Sequence, residues 1–376
     1  MVGSVRPALA FRPLRAAAPT SEAATDEPVD RAVLSQAPAR PFAWTPTPVT
    51  PPLTPGWVGP PLAKVLFLSD LDGTWLSPDP AHRKQLDQGI LKIREEAWNQ
   101  GIDLRFGYIT ARPPGRVGQE QLPDPDWMVT HNGGTIHRGP TDPDPVRSWE
   151  EVQRLSGFDA ARVTEIMGRV RQAPDFANLR IETVGHVLGR PEADDCDYMA
   201  TFCVRQDSLN LDPGETPEIL QPDTFRPPGQ VERLVQSLSR ELEATGMKFK
   251  ISPIYPFHGQ PYVMFDVAAP EANKGSAVDF LRERLGIDAD NVIVAGDGGN
   301  DLSMMTARDG HDDGRRAIIV GANAFLRMAA ARLKGAKVRP EDEDCAMGVM
   351  SGLREHLQEI AARIRAKGSR KADLSD

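Results

Sequence analysis

The chain has 376 residues, 40% of them hydrophobic and 26% charged, with a formal net charge of −9. That is a globular composition with room for two or three domains. The acidic balance offers no basic field for nucleic acid or an acidic membrane surface, no apolar run nears the ~20 residues that span a bilayer, and three cysteines (Cys196, Cys203 and Cys345) are too few for a disulfide framework or a closed zinc site.

Residues 1–62 hold thirteen of the 34 prolines, including the run from Thr45 to Pro52. Proline removes backbone donors and fixes φ, so this stretch reads as a disordered or polyproline-like tail. Arg6, Arg12 and Arg15 lie in its first fifteen residues without an acid. Two readings stay open: a flexible extension on a cytoplasmic protein, or an organelle transit peptide.

Order is expected from Ala63. The apolar run 64–69 suits a strand buried on both faces. A helical pattern over 88–100 follows, then strands over 103–109 and 127–130. This alternation predicts an α/β fold, a Rossmann-like parallel-sheet core with crossover helices. The middle differs: a helix over 163–172, a strand over 198–204, a helix over 231–244 and strands over 248–252 and 263–267 make an α+β pattern whose strands read as half exposed. It looks like an inserted module over 157–268, dividing the core into 63–156 and 269–368. The core pattern returns with a helix over 274–285, buried strands over 291–295 and 317–320, and a last helix over 348–365. A polar end, frayed from about 367, closes the chain.

Four short segments carry candidate chemistry. Ser69-Asp70-Leu71-Asp72-Gly73-Thr74 follows the first buried strand, and ligands of open α/β sheets sit at the carboxyl ends of strands. Two carboxylates two residues apart repel unless a cation or proton intervenes; an acidic turn is the plain alternative. Gly107-Tyr108-Ile109-Thr110-Ala111-Arg112 puts a hydroxyl at the second strand end, suited to a phosphate oxygen or to an ordinary helix cap. Lys274 opens a helix, where the macrodipole disfavours an unneutralised cation. Gly296-Asp297-Gly298-Gly299-Asn300-Asp301 offers hard oxygen ligands of the kind Mg²⁺ takes. All four point at one edge of the sheet. Met304 and Met305 read as helix core, the cysteines as small buried residues, and His131 as a loop histidine satisfied by local backbone.

Together and in this order, these segments resemble the haloacid dehalogenase-like hydrolase superfamily over about 63–365. A narrower resemblance is to its sucrose-phosphate phosphatase branch, carried by Trp75-Leu76 after the first motif, by the segment from Pro125 to Ile136, and by Cys345 to Leu353. Gly298 stands where that branch commonly has serine. The resemblance implies an α+β cap and a Mg²⁺-dependent phosphatase acting through an aspartyl-phosphate. Asp70 is the implied nucleophile and Asp72 the acid/base, its backbone carbonyl also on the metal. Thr110 and Lys274 are implied to hold the phosphoryl group, and Asp297 to complete the metal ligands. Asp301 and Asn300 would touch the metal, its water or the substrate; Arg112 and Asn132 would lie at the substrate edge. Lys248, Lys250 and His258 are weaker cap candidates for sugar contact, exposed side chains being the plainer reading. The expected substrate is sucrose 6-phosphate, with mannosyl-glycerate, glucosylglycerol or trehalose phosphate, or a broad range of sugar phosphates, as alternatives. The expected partner is this small molecule, with no nucleic acid or membrane and with possible association with a glycosyl-phosphate synthase. Outside enzymes, a regulatory domain partnering such a synthase is the rival.

Overall fold

Strand β1 (Ala63–Ser69) occupies the middle of a seven-stranded sheet, which is why Val65 to Leu68 are apolar without alternation. The computed structural model describes residues 59–373 except 118, 119, 121, 138–146, 191–195, 212–227, 253, 254, 257–260, 308, 309, 322, 323, 331 and 341. The expected tail up to residue 58, and His258, lie outside the described residues.

In chain order β1 is followed by α1 (Pro80–Trp98), β2 (Ile102–Ile109), α2 (Pro114–Val117), β3 (Trp127–Thr130), β4 (Thr135–His137) and α3 (Arg147–Arg154). Then come α4 (Ala160–Val170), β5 (Ile181–Thr183), α5 (Val184–Val187), β6 (Met199–Arg205), α6 (Gly229–Glu243), β7 (Lys250–Ile251), β8 (Tyr255–Pro256) and β9 (Tyr262–Ala268). The chain ends with α7 (Lys274–Leu285), β10 (Val292–Gly296), α8 (Leu302–Met305), β11 (Arg316–Ile319), α9 (Ala324–Ala330), β12 (Ala336–Val338) and α10 (Cys345–Asp373).

The first sheet runs β12-β11-β10-β1-β2-β3-β4 and is parallel except for β4, which pairs antiparallel with β3 at the edge. Side chains of β1 alternate between two apolar layers. Val65 and Phe67 pack with Leu86, Ile90 and Ile93 of α1 and Leu353 and Leu357 of α10. Leu66 and Leu68 pack with Ala277, Val278 and Leu281 of α7 and with Trp149. A third apolar cluster belongs to the inserted segment, where the sheet β5-β6-β9-β7 packs against α4 and α6 through Phe202, Val204, Val263 and Phe265. Among the described residues no helix is long and apolar enough to cross a membrane.

The structure differs from the expectations in four places. Helix α1 starts at Pro80, with Asp79 accepting from Ala81 N, ahead of the apolar periodicity that marks its buried face. Helix α10 starts at Cys345 and continues to Asp373, past the point where a frayed end was expected. Strands β6 and β9 are largely buried rather than half exposed, because β9 lies inside its sheet and pairs with β6, β7 and β8. The strand expected over 248–252 shortens to β7, with Lys248 and Lys250 exposed. The three cysteines are buried, with no disulfide among the described residues, and Met304 and Met305 are core.

Candidate active site

Parallel pairing brings the carboxyl ends of β1, β2, β3 and β10 to one edge, and the candidate residues follow from it. Past β1, Asp70 N still donates to Ala295 O at 2.9 Å, which locks the start of the acidic loop to β10. The loop is pinned again by Trp75, fully buried among Phe67, Phe106 and Tyr108, its Nε1 donating to Asp87 Oδ1 at 2.9 Å. Between these anchors Gly73 takes φ +73°, and a Cβ there would lie 2.4 Å from Asp297 Oδ2. Glycine is therefore required both by the backbone and by the approach of the second acidic loop.

Lys274 is the first residue of α7, whose cap is Asn273, accepting from Ser276 N at 3.0 Å. Its side chain is wholly buried, and Nζ donates to Asp70 Oδ1 and Asp301 Oδ1, each at 2.6 Å. The cation unexplained in the sequence is thus neutralised by two carboxylates. Burial pulls its pKa down, but Asp301 and Asp70 outweigh that and raise it, so the ammonium stays charged. Asp301 Oδ2 accepts from the amides of Asp297 and Gly298 at 2.9 and 2.8 Å, which curls the loop after β10. Asp297 Oδ1 accepts from Thr74 Oγ1 at 2.9 Å.

Asp70, Asp297 and Asp301 each bring a carboxylate oxygen within 4.8 Å of the others. Burial, then the charges of Asp301 and Asp297, push Asp70 up to about 8 against the pull of Lys274. Burial and Asp301 likewise push Asp297 up to about 6, against Thr74 and Lys274. Three acids facing one lysine lack positive charge. The donor set is hard oxygen only, the kind that suits a divalent cation such as Mg²⁺.

Asp72 is placed differently. Its side chain is 58% exposed, and both its oxygens accept from Arg112: Nε donates to Oδ2 at 2.7 Å and Nη2 donates to Oδ1. Arg112 Nη1 donates to Glu120 Oε1, and these two carboxylates raise its pKa although burial opposes them. Thr110, fully buried, accepts at Oγ1 from Arg112 N at 3.2 Å and at its carbonyl from Asn132 N at 2.9 Å. Asn300 Nδ2 lies 3.4 Å from Asn132 Oδ1, so these two side chains meet across the edge. Asn132 and His131 have φ values of 53° and 50°, and Gly133 next to them packs so closely on the Asn273 backbone that a Cβ would lie 2.3 Å away. The turn after β3 therefore abuts the start of α7.

The structure thus gathers buried Asp70, Asp301 and Lys274 and half-buried Asp297 into one cluster, with Asp72 and Arg112 as a separate, more exposed pair. His131 is not satisfied by local backbone as expected: Nδ1 lies 3.5 Å from Thr135 Oγ1, and buried Nε2 has no hydrogen-bond partner among the described residues. Burial and His137 hold it down at about 4, a neutral ring. Thr74 and Glu120 had no expected role in the site. Thr74 stood inside the first motif, so its signal was present; Glu120 lies outside all four motifs and carried none.

A parallel sheet whose central strand ends in a lysine-paired aspartate, met by an acidic loop from the neighbouring strand, places the chain among the haloacid dehalogenase-like hydrolases. Within them it belongs to the sucrose-6F-phosphate phosphohydrolase family, whose model matches residues 63–174 and 224–357. The chain is 27% identical over 273 residues to a putative HAD-like hydrolase of Nitrosococcus oceani, covering 72% of this chain and 62% of that one. It is 26% identical over 249 residues to the glucosylglycerol-phosphate synthase of Pseudomonas anguilliseptica, covering 65% of this chain and 25% of that one. It therefore spans about three fifths and a quarter of these relatives' lengths. The solved sucrose-phosphatase of Synechocystis sp. PCC6803, in complex with sucrose and phosphate, shares the fold with a TM-score of 0.53 at 18% identity, covering 78% of this chain and 98% of that one.

Proposed function

We propose that the protein is a divalent-cation-dependent phosphatase that hydrolyses a sugar phosphate, sucrose 6-phosphate first among them. The observation that carries this reading is Asp70: a buried carboxylate at the end of the central strand, with Lys274 at 2.6 Å and two further acids within 4.8 Å. A group so placed suits in-line attack on phosphorus, with Lys274 offsetting the negative charge of both partners. Family membership supports the phosphomonoester class.

Asp70 attacks phosphorus and the bond from phosphorus to the sugar oxygen breaks. Asp72 gives that oxygen a proton as the electron pair leaves with it. Asp72 then takes a proton from water, whose oxygen attacks the aspartyl-phosphate, releasing phosphate and restoring Asp70. Lys274 and Thr110 hold phosphoryl oxygens, while Arg112, Asn132 and Asn300 border the substrate. Asp70, Asp297, the Asp72 carbonyl and, directly or through water, Asp301 would hold Mg²⁺, which supplies Lewis-acid neutralisation of phosphoryl charge.

A second reading keeps this chemistry and changes the leaving group. The likeness to a glucosylglycerol-phosphate synthase favours glucosylglycerol phosphate, with a synthase as a physical partner. One experiment separates the readings: phosphate release with Mg²⁺ from sucrose 6-phosphate, glucosylglycerol phosphate, trehalose phosphate, mannosyl-glycerate phosphate and fructose 6-phosphate. Sucrose 6-phosphate is expected to lead in kcat/KM by orders of magnitude over fructose 6-phosphate, because a site built for the sugar's hydroxyls rejects the wrong one. Asp70→Asn is expected to abolish turnover. Substantial activity in that variant defeats the mechanism, and another leading substrate replaces the name alone.

A further inference from the structure

The ion pair between Arg112 and Asp72 does not stand alone. Arg112 spends two donors on Asp72 and a third, Nη1, on Glu120. Glu120 Oε2 accepts in turn from Arg83 Nη1 at 3.2 Å, and its carbonyl accepts from Arg83 Nη2. Arg83, in the first turn of α1, lies 3.9 Å from Asp87, the acceptor of the Trp75 indole. The polar chain Trp75–Asp87–Arg83–Glu120–Arg112–Asp72 therefore leaves the acidic loop at Trp75 and returns to it three residues earlier. It is a closed ring, anchored at one end by a fully buried tryptophan and at the other holding a carboxylate that is 58% exposed.

We infer that Glu120 is a positioning residue for the reaction: through Arg112 it fixes the carboxylate of Asp72 at the place where the leaving oxygen must be protonated. This rests on the proposed role of Asp72. An exposed arginine–carboxylate pair by itself is weak, since two mobile side chains must be held in one geometry. Glu120, 22% exposed and gripped by Arg83, supplies the second fixed point that turns Arg112 from a mobile partner into a strut. A misplacement of about 1 Å in such a group costs about 10²-fold in rate, and general acid catalysis as a whole about 10²–10⁴-fold.

The role has a signature that a merely structural one lacks. An alkoxide leaving group needs a proton as its bond to phosphorus breaks. A p-nitrophenolate leaves without one, its charge spread over the ring. Because kcat/KM reports only steps up to that bond cleavage, loss of a well-placed Asp72 affects sugar phosphates and spares the aryl ester. Glu120→Ala in the full chain is expected to lower kcat/KM for the best sugar phosphate by about 10²-fold, with p-nitrophenyl phosphate changed by no more than about threefold. Glu120→Gln, which keeps an acceptor for Arg112, is expected to fall between. Activity on the aryl ester also reports that the variants are folded. Equal losses on both substrates, or no loss on the sugar phosphate, overturn the inference while the wild-type enzyme stays a phosphatase. A wild type inert toward every phosphomonoester overturns the functional reading and this inference with it.

Discussion

Thr74 Oγ1 donates a 2.9 Å hydrogen bond to Asp297 Oδ1 although the two residues are 223 positions apart. The bond joins the acidic loop after β1 to the acidic loop after β10 and orients one of the three clustered carboxylates. Thr74→Val keeps the shape and removes the donor. Outer groups that orient a ligand typically matter 10–100-fold for affinity or activity. The expected result is a shift of about that size in the Mg²⁺ concentration giving half-maximal activity, with the saturated rate less affected. An unchanged metal dependence would show that Thr74 only closes the loop.

Among the described residues Lys274 is the single cation bonded to both Asp70 and Asp301, and all three groups are buried. Breaking a buried pair by removing one partner leaves uncompensated charge and costs about 3–5 kcal/mol. Lys274→Met is expected to lose stability of that order in denaturant unfolding without added metal, and to lose turnover. Adding Asp70→Asn to it is expected to return part of the stability and none of the activity. If the double variant is no more stable than the single one, charge is not what Lys274 compensates.

Most of the site was legible because it is built from strand ends. The buried strands β1, β2 and β10 each end in an apolar run (65–68, 106–109 and 292–295), closely followed by Asp70, Thr110 or Asp297, and sequence shows both features directly. The partnerships were not legible. Nothing near Lys274 in sequence tells that its ammonium meets Asp70, since that contact depends on the sheet order and on the close approach of the 131–133 turn to Asn273. Glu120 was invisible for the same reason, being defined only by Arg83 and Arg112. The start of α1 was missed because its first turn is set by Asp79 and Pro80, a capping signal rather than a periodic one.

His131 sets a pH dependence of stability. Its folded-state value of about 4 lies below the ordinary 6.5, because burial and His137 disfavour the charged ring. The unfolded chain takes up the proton first, so this contribution is fully present above about pH 6.5 and is lost as pH falls toward 4. The loss has a slope of about 1.4 kcal/mol per pH unit and a total of about 3 kcal/mol. Asparagine tolerates the left-handed backbone at this position. His131→Asn is therefore expected to flatten unfolding free energy against pH between 6.5 and 4 by about one proton. A variant with the wild-type slope would place the acid sensitivity elsewhere.

On the metal role proposed for it, Asp297 links metal binding to stability with a sign that can be measured. Its carboxylate is held up at about 6, chiefly by burial and by Asp301, so ionising it disfavours the folded state. A raised value means that its contribution is present below the unfolded value of about 3.8 and lost as pH rises through 6. At pH 7.5 the metal-free protein carries the full penalty, and Asp297→Asn removes it. That variant without metal is expected to be about 1–3 kcal/mol more stable than the wild type without metal. The wild type is expected to recover its disadvantage if a cation binds as proposed, since a ligand at about a hundred times its Kd adds about 2.7 kcal/mol. Thermal unfolding with EDTA and with excess Mg²⁺ checks both halves. The wild type is expected to rise in Tm with Mg²⁺ and Asp297→Asn to start higher and stay there. A variant that begins below the wild type, or that keeps the full Mg²⁺ shift, removes Asp297 from the metal cluster.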